Sequence, residues 1–141
     1  MKFSYAIILS QDIEIIRLCD EVGDEIGMKM ERIPELADFI LALQEKDYEV
    51  ALFDCIHADD ITLNWVKVVR KIRPKIPLII FSDEVNKKTG GKIYEQGTFY
   101  LCLRPVQKKV LRKVLSAALA LNQTKVKFYQ TSNGKGVKSN Q

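Results

Sequence analysis

The sequence predicts an α/β domain built on a doubly wound parallel sheet, and three observations carry that prediction. Short apolar runs alternate five times with longer stretches of helical periodicity, the rhythm of parallel strands joined by helical crossovers. Two of the runs, residues 50–54 and 78–82, are almost continuously apolar, as strands are when helices cover both faces of their sheet. The chain has 141 residues, 47% of them hydrophobic, which suits one core. Right-handed crossovers place the helices on both faces.

Each element has its own signal. Tyr5, Ala6, Ile7, Ile8 and Leu9 form the first strand. A helix over residues 11–21 follows, with Ile13, Ile16, Leu18 and Val22 as apolar positions, Asp12 as cap, and Gly23 or Gly27 as its end. Residues 27–33 alternate and read as an edge strand, and Pro34 opens a helix with Leu36, Phe39, Ile40 and Leu43 inward. The run from Tyr48 stops abruptly on Asp54, as a strand buried in mid-sheet would. Leu63, Trp65, Val66, Val69 and Ile72 mark a helix over residues 61–72, and Pro74 and Pro77 bound the turn before the strand at 78–82.

Residues 84–96 are polar and interrupted by Gly90 and Gly91, the weakest helical signal in the chain. A fifth strand, residues 99–103, ends at Arg104 and Pro105. A last amphipathic helix turns Val106, Val110, Val114, Leu115 and Ala118 inward and Lys108, Lys109, Arg112 and Lys113 outward. The domain is expected to span residues 1–121. Residues 122–141 lose periodicity apart from Val126, Phe128 and Tyr129, and read as a basic, largely unstructured tail or a linker to an output domain.

Composition narrows the function. No stretch reads as a membrane span, and the first apolar run lacks a signal-peptide processing site. Cys19, Cys55 and Cys102 are odd in number and without metal-ligand spacing, which points to a reduced cytoplasmic setting, with Cys55 filling space. The net charge of +4 belongs to the tail, where Lys125, Lys127, Lys135 and Lys138 meet no acid; residues 1–121 hold 18 basic and 18 acidic residues. Such a body has no electrostatic footprint for direct nucleic-acid binding.

In an open parallel sheet the carboxyl ends of the strands line the functional crevice. Four strands finish there on polar residues: Ser10 and Gln11, Asp54, Ser82 and Asp83, and Arg104. A carboxylate, a hydroxyl and a cation are the parts of a phosphoryl-transfer site. The first attacks phosphorus, the second bonds a phosphoryl oxygen and the third offsets developing charge. Mg²⁺ is a hard cation that wants acidic oxygens, whereas Ser10 and Gln11 are neutral. His57, the only histidine, reads as a loop residue, and Asp59 and Asp60 as caps of the next helix.

Over roughly residues 3–121 this arrangement resembles the response-regulator receiver (CheY-like) family. The family's phosphoacceptor falls on Asp54 in Val50-Ala51-Leu52-Phe53-Asp54, its strand-four Thr/Ser on Ser82, and its strand-five lysine on Arg104, with Pro105 and the earlier Gly97 matching. The resemblance implies a flavodoxin-like sheet in the order 2-1-3-4-5. It also implies phosphorylation by a histidine kinase with Mg²⁺, and partner binding or homodimerisation through the face of helix four, strand five and helix five. The chain departs from the family in telling places. The acid pair after strand one falls on Ser10 and Gln11, with Asp12 one residue on; the Met-Pro after the acceptor is His57-Ala58; the switch aromatic is Leu101; the lysine is arginine.

The reading is a non-enzymatic signalling domain of a two-component phosphorelay that acts by protein–protein contact on a kinase or an output partner. Asp54 is the candidate phosphoacceptor, with Ser82 and Arg104 beside it. Asp12 and Asp54 are the candidate metal ligands for a Mg²⁺ that the missing acid pair should bind weakly. Two alternatives stand: a working phosphoacceptor coupled to a transcriptional or other output domain, and a flavodoxin-like enzyme or ligand-binding domain. The last would need a phosphate-cradling glycine loop after strand one, where residues 9–14 have no glycine.

Overall fold

The structure is a computed structural model that describes residues 3–131, with side chains described as far as Leu121. Five strands alternate with five helices: β1 (Ser4–Leu9), α1 (Ile13–Ile26), β2 (Met28–Ile33), α2 (Leu36–Glu45), β3 (Val50–Asp54), α3 (Asp60–Ile72), β4 (Leu78–Ser82), α4 (Lys87–Glu95), β5 (Tyr100–Leu103) and α5 (Lys108–Thr131). The strands form one parallel sheet in the order β2-β1-β3-β4-β5. The predicted architecture and strand order are both met.

Burial divides the core by sheet face. Ala6, Ile8, Leu52, Ile79 and Phe81 point to the side covered by α1 and α5, where they meet Ile15, Cys19, Leu111 and Leu115. Ile7, Ala51, Phe53, Leu78 and Ile80 point to the other side, against Phe39, Leu43, Val66 and Ile93 of α2, α3 and α4. The strict alternation along each strand is the pleat at work. Phe53 and Phe39 stack at 6.1 Å between centroids and seat α2 on β3.

Several elements differ in detail from the sequence expectation. The inward positions of α1 are Ile15, Cys19 and Val22, while Ile13, the first helical residue, sits at the rim and is 70% exposed. Pro34 precedes α2 instead of opening it, and Glu35 takes the cap position. The doubtful α4 does form over nine residues because the Asn86 side chain accepts from the Thr89 amide at its start. Beside it the Tyr94 hydroxyl accepts from the Leu101 N–H on the outer edge of β5. The last helix runs to Thr131, ten residues past the expected boundary; no proline or glycine interrupts the sequence before Gly134. Residues 132–141 of the expected tail lie outside the described residues.

Two glycines set the α1–β2 turn. Gly27 closes the helix at φ +76°, a left-handed cap that costs a side chain about 1–2 kcal/mol. Gly23 lets α1 approach β2 so closely that a Cβ would stand 2.4 Å from the Met28 carbonyl oxygen. At the amino-terminal end of the sheet, two arginines at the end of α3 have backbone partners. Arg73 donates to the Leu43 carbonyl at 2.7 Å and to the Lys46 carbonyl, which satisfies the end of α2, and Arg70 donates to the carbonyls of Pro74 at 2.8 Å and of Ile76.

Substitution at the glycines separates close approach from open space. Gly23→Ala should destabilise the protein by about 2–3 kcal/mol, since backbone must move to admit the methyl group. Gly91→Ala, where a Cβ meets nothing within 4 Å, should stabilise by about 0.5–1 kcal/mol. Urea denaturation midpoints of the two variants check both signs.

Candidate functional site at the carboxyl rim of the sheet

The site is built by strand ends and the loops that leave them. β3 delivers Asp54 at its last residue, where the apolar run must stop because the next residue reaches the rim. Its carboxylate is largely enclosed, with 7% of the side chain exposed, and it is doubly held. Arg104, the first residue after β5, donates a guanidinium N–H to Asp54 Oδ1. Ser10, the first residue after β1, donates its hydroxyl to Asp54 Oδ2 at 2.6 Å. The Arg104–Pro105 peptide that follows β5 is cis.

Arg104 binds more than Asp54. Its Nε donates to Asp12 Oδ2 at 3.2 Å, and one terminal nitrogen donates to the Cys55 carbonyl at 3.1 Å and lies 3.7 Å from Asp83 Oδ1. One cation thus ties the strand ends β3 and β5 to the loops that follow β1 and β4. The planar five-donor fork makes this reach geometrically feasible where a lysine would offer a single point charge. Coulomb attraction holds the guanidinium in place, since three carboxylates face it, and the cluster keeps a surplus of negative charge. Burial works to lower the pKa of Arg104, and the hydrogen bonds and charges of Asp54 and Asp12 overcome it, so the guanidinium is held more firmly protonated than usual.

Asp12 serves two partners at once, the α1 cap expected of it and the Arg104 guanidinium. Oδ1 caps α1, accepting from the Glu14 and Ile15 amides at 3.0 and 3.4 Å, while Oδ2 takes Arg104. Burial pushes its carboxyl up; the Ile15 amide, the Arg104 guanidinium and the Glu14 amide outweigh it and hold the group below its ordinary value. The Ser10 oxygen completes the loop by accepting from the Asp12 N–H at 3.0 Å.

Ser82 is fully buried, and its oxygen accepts from the Ala58 N–H at 3.0 Å, which moors the β3–α3 loop to the end of β4. Cys55 donates its thiol to the Phe81 carbonyl at 3.3 Å, and burial raises its pKa, so it behaves as a packed thiol. Asp59 caps α3 through the Thr62 amide at 3.0 Å, and His57 is exposed on the same loop. Of the expected residues, the structure brings Asp12, Asp54 and Arg104 together. Sequence reading missed Ser10 as the hydroxyl on Asp54 and the Cys55 carbonyl as a partner of Arg104. The first was signalled by the position of Ser10 at a strand end; a carbonyl leaves no sequence signal.

A cleft of about 550 Å³ opens beside Asp54, between Ser10, Asp12, Glu35 and Ile56. The side chains facing it fit Mg²⁺ poorly. The Asp54 carboxylate already carries a cation, Asp12 is turned to the same cation, and no group of three metal-binding side chains that could hold an ion occurs among the described residues.

The basic residues of α5 are not a uniform outer face. Lys108 and Arg112 pair with Glu25 of α1 at 2.8 and 2.7 Å, which raises the pKa of Lys108 and lowers that of Glu25; Lys109 and Lys113 are exposed.

Comparison with solved structures places the fold. The chain superimposes on a CheY-like response regulator receiver domain from Methanospirillum hungatei with a TM-score of 0.75 at 16% identity, over 88% of this chain and 99% of that one. An orphan response regulator of H. pylori gives 0.72 at 15%, over 82% and 96%. NtrX of Brucella abortus gives 0.78 at 15%, over 97% of this chain and 31% of that one. No family model matches the chain, and no curated protein matches its sequence. What these likenesses establish is the CheY-like receiver fold. No helix among the described residues is long and apolar enough to cross a membrane.

The shared cation makes two variants informative. Arg104→Ala should cost about 2–4 kcal/mol, because it leaves the enclosed Asp54 carboxylate with Ser10 alone, with a discount for the 23% of the arginine side chain in solvent. Asp54→Asn should cost only about 1–2 kcal/mol and keep the secondary structure, since Arg104 retains other acids. Denaturant titration with circular dichroism measures both, and an Arg104 variant no weaker than Asp54→Asn would contradict the assignment. The pH dependence has a definite sign. The folded pKa of Asp12 lies below its ordinary 3.8, so its contribution is complete above that value and is lost as pH falls through the folded pKa. Asp12→Asn keeps a capping side chain but should flatten the loss of stability between about pH 4 and pH 2, read from melting temperatures.

Proposed function

We propose that the chain is a receiver-like signalling domain that acts through protein–protein contacts in a phosphorelay-type pathway, with a histidine kinase or an output protein as its partner. Its acceptor pocket is closed by an internal cation. The observation that carries this reading is the Arg104 guanidinium seated on Asp54. A carboxylate attacks phosphorus best through an oxygen that no donor covers, and on Asp54 the Arg104 guanidinium sits on Oδ1 and the Ser10 hydroxyl on Oδ2, which draws charge from both oxygens and shields them. Phosphorylation would also bring a dianionic group into a site with one cation and two further acids, Asp12 and Asp83. The CheY-like fold supports the signalling role, and the similar H. pylori protein is itself an orphan response regulator. An enzyme on this fold has less support, since the β1–α1 loop lacks a glycine cradle and instead carries a cap.

The test is intact-mass spectrometry after incubation with a small phosphodonor and Mg²⁺, with Asp54→Asn alongside. The expected result is no gain of a phosphoryl group in either protein. A gain confined to the unaltered protein would establish the alternative, a working phosphoacceptor. A second experiment probes the pocket itself: Ser10→Asp with Gln11→Asp and Arg104→Lys should create Mg²⁺ binding visible by calorimetry, while the unaltered protein takes up none.

A further inference from the structure

Three isoleucines stand in solvent on the carboxyl rim of the sheet. Ile13, Ile56 and Ile61 are 70%, 69% and 66% exposed, and the connections that carry them leave β1 and β3, which are neighbours in the sheet. The same connections border the cleft of about 550 Å³, whose walls include Pro34, Leu36 and Ile56 beside Asp12, Glu35 and Asp54. Large apolar side chains left exposed at one place, with polar residues around them, have the make-up of a contact surface.

The charge on this half of the rim has one dominant sign. Residues 10–14, 34–36 and 54–61 hold six acids, Asp12, Glu14, Glu35, Asp54, Asp59 and Asp60, and no lysine or arginine. Three arginines stand nearby: Arg104 in its pair with Asp54, Arg32, which donates to the Ser10 carbonyl, and Arg17, one turn along α1. The acids outnumber them two to one. The lysines of the rim, Lys87, Lys88, Lys108 and Lys109, follow β4 and β5 on the other half of the sheet, and Lys108 is already paired with Glu25.

We propose that this surface takes the carboxyl-terminal segment of a second copy, residues 122–141. The segment has the complementary make-up: Lys125, Lys127, Lys135 and Lys138 without an acid, and Val126, Phe128 and Tyr129 beside the first two lysines. It is directed away from its own rim. α5 leaves the rim at Lys108 and runs back along the sheet; the part up to Leu121 spans about 21 Å, roughly the length of the strands. Residues 122–131 carry the helix about 15 Å further on. Lys125 and Lys127 therefore lie at the opposite end of the molecule from the acids they match. Contact between one copy's segment and the next copy's rim is heterologous, so copies add in series unless the rotation closes a ring. The inference goes beyond the signalling role proposed above and holds whether or not Asp54 accepts a phosphoryl group.

Sedimentation equilibrium and a peptide probe test it. In about 0.02 M salt the average mass should rise with concentration, and in about 0.5 M salt it should return to that of a monomer, because salt screens exposed charges. Lys125→Glu with Lys127→Glu, and separately Glu35→Lys with Asp60→Lys, should each be monomeric in low salt. Glu35 and Asp60 are exposed, and circular dichroism checks that both variants stay folded. A fluorescent peptide of residues 122–141 then separates the two ends of the contact. By anisotropy it should bind the Lys125→Glu, Lys127→Glu chain, whose rim is intact, about tenfold more tightly than the Glu35→Lys, Asp60→Lys chain. Adding Ile56→Ser to the former should weaken binding several-fold. A chain that stays monomeric in low salt at every concentration overturns the proposal, as does a peptide that binds neither variant. Equal binding to the two variants also overturns it, in favour of a site off the rim, and indifference to Ile56→Ser overturns the docking in favour of charge attraction alone.

Discussion

The rim of this domain is organised by one enclosed ion pair, Arg104 with Asp54. A carboxylate with so little access to water is tolerable only if its charge is met by hydrogen bonds and an opposite charge, and Arg104 and Ser10 supply both. The rest of the rim follows from how that demand is met. The guanidinium has donors to spare, and they draw in Asp12, the Cys55 carbonyl and the charge of Asp83. The cap of α1 and the exit of β3 are therefore fixed by the group that neutralises the central acid.

The opposite end of the sheet solves a different problem with the same side chain. There Arg70 and Arg73 meet no enclosed acid; they fold back on carbonyls at the ends of helices and in the turn before β4. Backbone oxygens at helix ends lack internal partners, and a long cation with several donors can serve two at once. Arginine thus closes both ends of this domain, by charge pairing at the rim and by carbonyl capping at the base.

The fold was legible because it depends on patterns the sequence cannot hide. Continuous apolar runs at 50–54 and 78–82 require a sheet covered on both faces, and the strands end where the polar residues begin. Asp54 and its arginine were legible for the same reason, both lying at strand ends. Other features depend on reach and rotamer. Asp12 holds a cap and an arginine with different oxygens, a division no spacing encodes. Ile13 contributes to the apolar pattern of α1, yet as the first helical residue it lies at the rim in solvent. The length of α5 was underestimated because loss of amphipathic pattern was read as loss of helix, whereas a polar stretch without proline or glycine can continue the helical backbone.

The hydroxyl of Tyr94 on the outer amide of β5 bears on how the molecule survives crowding. β5 is a terminal strand of the sheet, and such a strand offers unpaired backbone groups on which another extended chain can build. By occupying the Leu101 amide from the neighbouring helix, Tyr94 removes a donor from the middle of a four-residue strand. An invading strand would have to evict a tyrosine before it could register. With that amide taken, the middle of β5 is a poorer template for strand addition than a bare edge would be.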